Sequence, residues 1–512
     1  MSNFNIYNKI EQYTAEYLKK ENIKSIGFAI ALTWTSYTLT SRLYDAYFGP
    51  LSHIPGPFYA KVLSIPRALI DRPRGTSYRR AKALHDKYGT IIQVSPGVIS
   101  VSDKDMLKQV LVTDDLQKGP NYSRLQEDGL QNLFNTRDVV FHKQRRRILS
   151  PAFSMKYLYS LEPFITACTE QFINKIDKQI NETKDEESYG TVDIWNLLAC
   201  LALDIIGEVA YNESFNLIND NDHFIPTSIT RGMRLSSLFI VYPFLGNLIK
   251  LFGLNRDPQF EKFMVDIIMK RLENKEKRSD ILQILIETQN STEQEDRLTV
   301  NSIISEVILF LVAGSETTSN STGFAIIELL KSPEKLKILQ QEIDDVPLTP
   351  NHSFYSNDQL KKLPYLNAVI NESMRLNTIS SHGLQRIANR DILLAGKYFI
   401  PKNTIIVGNM NHAHKNPEYW PNPDEFIPER WLEGATPPPC LDAYYPFSAG
   451  SRGCIGKNFA LMEMRLSIAT LVKHYEFKAI PEELDNAKDL RQFITLTVEK
   501  NQFRIKLKPR KI

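Results

Sequence analysis

Ten residues near the C-terminus, Phe447-Ser448-Ala449-Gly450-Ser451-Arg452-Gly453-Cys454-Ile455-Gly456, set one cysteine in a glycine-punctuated loop. The pattern F-x-x-G-x-R-x-C-x-G suits a thiolate presented to a metal. A thiolate stays ionised only in positive surroundings. Arg452, the loop amides and the N-terminus of a following helix would supply them. Gly450, Gly453 and Gly456 let the backbone turn sharply and approach a flat macrocycle that a β-carbon would push away. These surroundings favour haem iron. The competing reading is a buried structural cysteine in a tight turn.

Three further motifs precede that loop. The apolar run from Val300 to Leu330 reads as a helix N-capped by Thr299. Its middle, Ala313-Gly314-Ser315-Glu316-Thr317-Thr318, departs from good helix formers and predicts a locally widened helix. Ala313 and Thr317 share a face at i, i+4 with Gly314 beside them, a groove for a small ligand with an acid and a hydroxyl adjoining. Small residues for close helix packing are the alternative. Glu372 and Arg375 can pair at i, i+3 on a helix from Pro364 to Leu376. The run Phe426-Ile427-Pro428-Glu429-Arg430-Trp431 can bring a second arginine to Glu372. A buried glutamate shared by two arginines is structural rather than catalytic.

The elements that must position these groups are mostly helical. Polar breaks fall at Glu182–Ser188 and Gln289–Asp296, and strand-like runs at Thr90–Val101, Ile392–Val407 and Phe493–Leu507. The expected fold is mainly α with a minor β portion, not a doubly wound sheet. A chain of 512 residues is ample for a large core. Its net charge of +3 is too small to argue for nucleic acid. Four scattered cysteines with no C-x-x-C pair exclude a disulfide scaffold or zinc ribbon and suit a reducing compartment.

At the N-terminus, Asn5–Glu21 carries an amphipathic stripe of Ile6, Ile10, Tyr13, Tyr17 and Leu18. The uncharged stretch Ser25–Thr40 then reads as a membrane anchor, with a helix lying in the interface as the alternative. Its six hydroxyl residues can bond back to helix carbonyls. The elbow Ile54-Pro55-Gly56-Pro57 is apt for separating an anchor, residues 1–53, from a folded body, residues 54–512.

In order and spacing these motifs resemble the cytochrome P-450 family of haem-thiolate monooxygenases, in its microsomal and fungal style, from the elbow to the end of the chain. The resemblance implies haem b with Cys454 as the axial ligand of its iron, the thiolate favouring O–O cleavage. It implies Phe447 shielding the ring, Gly450 in the ligand loop, and Arg452 on a propionate. It implies Ala313, Gly314, Glu316 and Thr317 as the oxygen-binding groove, with Thr317 relaying protons. Glu372, Arg375 and Arg430 match its structural triad. Arg386 and Arg146 match its other propionate arginines.

This chain departs from the family pattern twice. His142 stands where tryptophan is common in W-x-x-x-R, and can still donate to a propionate. Leu376-Asn377-Thr378-Ile379-Ser380-Ser381-His382-Gly383 lacks the usual prolines, so the substrate is not inferable from the family here. Lys143, Arg145 and Arg147 are expected on a docking face for an acidic flavoprotein. Leu238, Phe239, Ile240 and Phe244 are expected in a substrate lid. Asn121–Leu133, Leu309–Ala313, Ile379–Leu384 and Phe493–Leu496 are expected around the pocket. The sequons at Asn181 and Asn371 read as unoccupied, in keeping with a cytosolic face.

The expected activity is insertion of one oxygen atom from dioxygen into a steroid, fatty acid or terpenoid. Electrons are expected from NADPH through a separate reductase, with cytochrome b5 as a second candidate donor, on the endoplasmic reticulum membrane. A haem-thiolate isomerase or dehydratase, or a non-catalytic membrane-tethered haem- or lipid-binding protein, are the rivals.

Overall fold

The computed structural model describes residues 9–13, 20–63, 71–126, 129–220, 224–254, 257–273, 280–347 and 355–511. The helices that matter here are α1 (Lys20–Phe48), α2 (Val139–Leu149), α3 (Met155–Thr183), α4 (Ile194–Ile206), α5 (Phe224–Val241), α6 (Pro243–Leu251), α7 (Val300–Lys331), α8 (Pro364–Leu376) and α9 (Lys457–His474). Five strands form the largest sheet: β1 (Ile91–Ser95), β2 (Val98–Val101), β3 (Gln117–Lys118), β4 (Leu384–Ile387) and β5 (Ile405–Gly408). Their spatial order is β1-β2-β5-β4-β3, with β2 and β5 parallel and the other neighbours antiparallel. The chain is thus mainly helical with a small sheet portion, as the sequence predicts.

The central element is α7. Thr299 caps it by accepting from the Ser302 N–H at 3.2 Å, and Pro333 opens the next helix and prevents its continuation. From Thr318 to Leu330 every side chain is buried, hydroxyls included. Those hydroxyls are satisfied locally: Ser315 donates to Leu311 O, Ser321 to Thr317 O and Thr322 to Thr318 O, at 2.7–2.9 Å. The expected widening is not there. The helix is regular α across Ala313–Thr318, because the i−4 back-bonds are made without disturbing the backbone ladder.

The sequence-predicted polar breaks fall between α3 and α4 and just ahead of α7. Strands at Gln117–Lys118, Gly190–Asp193 and Tyr475–Lys478 were not signalled, since each is short and lacks alternation. Only residues 9–13 and 20–21 of the segment Asn5–Glu21 are described; Ile10 and Tyr13 are exposed there. Helix α1 runs well beyond Ser25–Thr40 in both directions. Thr35 and Thr38 do bond back to Ala31 O and Trp34 O, both at 2.7 Å. Among the described residues the two segments long and apolar enough to cross a membrane are Ile194–Tyr211 and Val300–Lys331, not α1. The first is 83% buried and the second is the central helix α7, so both read as core helices. The elbow is not a free spacer either. Ile54 is fully buried, and Pro55 O accepts from Gln93 N at 2.7 Å, so the turn is docked on β1.

One buried ionic network fastens α8 to the segment that follows the sheet. Glu372 is wholly buried, and its Oε1 and Oε2 accept from Arg375 Nη2 at 2.8 Å and Nε at 2.9 Å. Arg430 Nε adds a bond at 2.9 Å, Trp431 Nε1 another at 2.9 Å, and the Ile427 N–H a fifth at 3.0 Å. Arg375 spends its remaining donors on the carbonyls of His414, Pro423 and Glu425. Removing one partner from such a network leaves uncompensated buried charge, which costs about 3–5 kcal/mol. Glu372→Ala is therefore expected to lower the thermal unfolding midpoint by about 3–5 °C, read by calorimetry. An unchanged midpoint would show that the carbonyl bonds of Arg375 hold the segment unaided.

Candidate functional site

The cysteine loop is built by its own backbone. The Cys454 N–H donates to Phe447 O at 2.9 Å, and the Gly453 N–H to Gly450 O at 3.1 Å. Gly450 has φ 71°, and a Cβ there would lie 1.9 Å from Leu111 O, so no other residue fits. Phe447 is half-buried against the main core, with Lys457 Nζ 6.0 Å from its ring centroid. The Cys454 side chain is exposed rather than packed. Although surface stays open at Cys454, the protein mass around the sulfur still limits its solvation and pushes the thiol up, while the Gly456 N–H, Arg146 and Lys457 pull it down. The expected helix N-terminus lies beside the sulfur, whereas its basic neighbours are Arg146 and Lys457, Arg452 being turned to the start of α2.

Two arginines tie this loop to α2. Arg146 Nη1 donates to Gly453 O at 2.7 Å. Arg452 donates to Thr136 O at 3.3 Å and Asp138 O at 3.4 Å, and Asp138 is the residue whose carboxylate caps α2. His142 lies one turn before Arg146 and is buried. On the sheet, Lys118 of β3 stands opposite Arg386 of β4, both buried. Burial and the charges of Arg452, Lys118, Arg146 and Arg386 together push His142 down to about 3. Burial and the same arginines hold Lys118 well below the usual lysine range. Arg452 is lowered to about 10 by burial and then by Arg386.

Arg146, Arg386, Arg452, Lys118 and His142 therefore converge on one enclosed region. The nearest carboxylates are otherwise engaged: Asp138 caps α2, and Asp115 accepts from the Ser451 N–H. Like charges gathered at low dielectric repel strongly unless an anion joins them. A macrocycle bearing two carboxylates, with its metal at Cys454, fits this donor set. Lys118 is the member that the motifs missed. Its signal is the β3–β4 register, which no single-chain pattern reveals.

On α7, Ala313 is exposed midway along a helix whose neighbours Leu311 and Ser315 are buried. Gly314 instead faces α4, where a Cβ would meet Ile206 Cδ1 at 2.8 Å. Its place in the structure is the close helix packing weighed for it, so the groove narrows to Ala313 and Thr317. Thr317 Oγ1 donates to Ala313 O at 2.8 Å, which leaves its lone pairs free to accept. Glu316 points elsewhere, toward Thr230 and Asn320. Burial raises its carboxyl to about 6, against the hydrogen bonds from Asn320 and Thr230. Two small clefts flank it, each of about 20 Å³, lined by residues such as Thr230, Phe493 and Asn501.

The expected docking face is corrected in part. Arg145 is buried, with Nε 3.2 Å from Glu306 Oε1 and its guanidinium 4.6 Å from the Phe141 ring centroid. Arg147 is neutralised by Asp296 through two 2.6 Å bonds. Lys143 is the exposed one of the three for which no ion pair is formed among the described residues. Glu306 was not anticipated. It is wholly buried on α7, and both its oxygens accept from the Leu133 N–H at 3.1–3.2 Å. It thereby joins the loop before α2, α2 itself and the central helix.

Of the expected lid, Leu238, Phe239 and Ile240 are half-buried at the end of α5 and Phe244 is exposed on α6, with Pro243 starting the second helix. Arg124 donates to Ile240 O at 2.5 Å, joining the lid to the 121–126 loop.

The sequence model of the family described as Cytochrome P-450 matches residues 54–507. The chain is 35% identical over 442 residues to "Cytochrome P-450 monooxygenase LUC2" of Fusarium sp, covering 85% of this chain and 84% of that protein. It is 32% identical over 514 residues to "Cytochrome P-450 monooxygenase FUS8" of Gibberella moniliformis, covering 97% and 96%. It is 28% identical over 462 residues to "Trichothecene C-15 hydroxylase" of Fusarium sporotrichioides, covering 87% and 91%. By a family match that spans most of its length and by relatives aligned along nearly all of it, this chain belongs to the cytochrome P-450 family and is a monooxygenase.

Proposed function

We propose that the protein binds haem b through Cys454 and inserts one oxygen atom from dioxygen into a steroid, fatty acid or terpenoid. The observation that carries this reading is the convergence of five basic side chains beside an exposed cysteine whose loop backbone is fixed. In this assignment Cys454 Sγ is the iron ligand, and Arg146, Arg386, Arg452, His142 and Lys118 hold the propionates. When bound, the haem supplies dioxygen activation and the oxidising power for C–H cleavage.

The chain's own residues then bind, orient and move protons. Phe447 and Gly450 shape the loop that presents the sulfur. Thr317 Oγ1, back-bonded to Ala313 O, holds a proton acceptor site at the exposed stretch of α7. Glu316, whose carboxyl burial raises to about 6, is poised to exchange protons at working pH on the Thr230 and Asn320 side of α7. The clefts at Thr230 and Asn501 give that carboxyl access to water. Glu372, Arg375 and Arg430 keep the surrounding backbone in register.

The reading assigns residues 1–53 to a membrane-anchoring segment and 54–512 to the catalytic domain, at the endoplasmic reticulum membrane and facing the cytosol. Supporting it, α1 exposes Phe28, Ile30, Leu32 and Trp34, and the α6 region exposes Phe244, Leu251 and Phe252. A helix of 29 residues is about 43 Å long, which exceeds a bilayer core in length, while its apolarity falls short of a spanning segment. Electrons come from NADPH through cytochrome P-450 reductase, with cytochrome b5 as an additional donor, and Lys143 is the cation best placed to meet them.

Reduced protein exposed to carbon monoxide is expected to show a strongly red-shifted Soret band that Cys454→Ser abolishes. Persistence of that band in the serine variant would remove Cys454 as the ligand. Thr317→Ala is expected to lower product formed per NADPH consumed about tenfold or more. Unchanged coupling, measured as product against NADPH oxidation, would move the proton transfer to another group.

A further inference from the structure

Arg72 lies on the turn between Asp71 and Thr76, just before the helix Ser77–Tyr88. It is 8% exposed, and its Nε has no hydrogen-bond partner. Burial lowers its pKa only to about 10, so it remains a cation at neutral pH. A buried charge without a counter-ion is strongly unfavourable.

The carboxylates around it are already taken. Asp71 accepts from Arg80 at 3.3 Å. Asp489 pairs with Arg79 and with Arg491, both at 2.5 Å, and Glu499 pairs with Arg491 at 3.1 Å. Among the described residues no acid pairs with Arg72.

Its position is fixed by two neighbouring segments. Gly75 O accepts from the Gln492 N–H at 2.8 Å, pinning the turn to the hairpin Leu490–Val498. Ser77 Oγ lies 3.3 Å from His382 Nδ1. Burial and then the charge of Arg72 keep His382 neutral, so the two side chains are close. His382 belongs to the segment between α8 and β4. In that segment Ile379 O accepts from the Leu496 N–H at 2.9 Å. Ile379, Ile494, and Leu309 and Val312 of α7 are half-buried apolar groups packed on one core. The buried cation thus stands beside His382, in one of the segments expected around the pocket, on a turn pinned to the hairpin Leu490–Val498.

We propose that Arg72 is the anion anchor of the substrate pocket, and that the natural substrates are lipophilic acids whose carboxylate pairs with its guanidinium. The inference rests on the monooxygenase site proposed above. A guanidinium offers two parallel N–H donors that match a carboxylate, and the match gains strength where water is scarce. The hydrocarbon portion then lies along Ile379, Ile494 and Val312.

The test uses full-length, haem-loaded protein and equilibrium dialysis with dodecanoic acid and its methyl ester, for wild type, Arg72→Gln and Arg72→Lys. Wild type is expected to bind the acid roughly tenfold or more tighter than the ester. Arg72→Gln is expected to erase that preference while leaving ester affinity within about twofold, and Arg72→Lys to keep part of it. Equal binding of acid and ester by wild type, or a loss in Arg72→Gln that is the same for both, overturns the proposal. The carbon monoxide spectrum of the same samples separates the two readings. A missing red-shifted band with the acid preference intact contradicts the haem-thiolate site, and a normal band without the preference contradicts the anchor.

Discussion

Positive charge held in a confined space is the constraint on which the rest of the structure turns. Arg146, Arg386, Arg452, Lys118 and His142 come from a helix, two strands and a loop; the arginines make Lys118 and His142 harder to protonate, and Arg386 does the same to Arg452. Left alone such a cluster would spread apart. The β3–β4 pairing, the Arg146 bond to Gly453 O and the Arg452 bonds to the start of α2 keep it together. In the proposed assignment a bound dianion relieves that repulsion, so the cofactor would be selected by charge as well as by shape.

The Glu372 network serves that cluster at a distance. It fastens α8 to the segment 421–431, and α8 leads through the Thr378–Gly383 segment into β4, where Arg386 sits. Displacement of α8 would shift one of the five cations relative to the others. An ion pair that contributes no chemistry thus sets the geometry on which the chemistry depends.

The legible parts of the sequence were those in which one residue type at one spacing has a single physical use. The glycine loop around Cys454, the E-x-x-R pair and the Thr299 cap all stand where their patterns predict. The illegible parts depend on what a distant segment places opposite. Lys118 joins the cluster only because β3 pairs with β4, and Glu306 matters only because Leu133 and Arg145 arrive beside it. Arg145 was read as a surface charge because a basic helix is usually solvated. The buried acid from α7 that draws it inward is more than a hundred residues away. Gly314 was read as a groove residue, while Ile206 of α4 occupies the space it leaves.

The docked elbow has a consequence for how the molecule meets lipid. Pro55 O is bonded to the first strand and Ile54 is sealed in the second core, so the helix before them is not strung on a slack tether. With α1 in a bilayer, the globular part cannot swivel freely above it. Under the proposed anchoring, one rim of the globular part would stay turned toward the hydrocarbon, and hydrophobic molecules dissolved there would reach it by lateral diffusion.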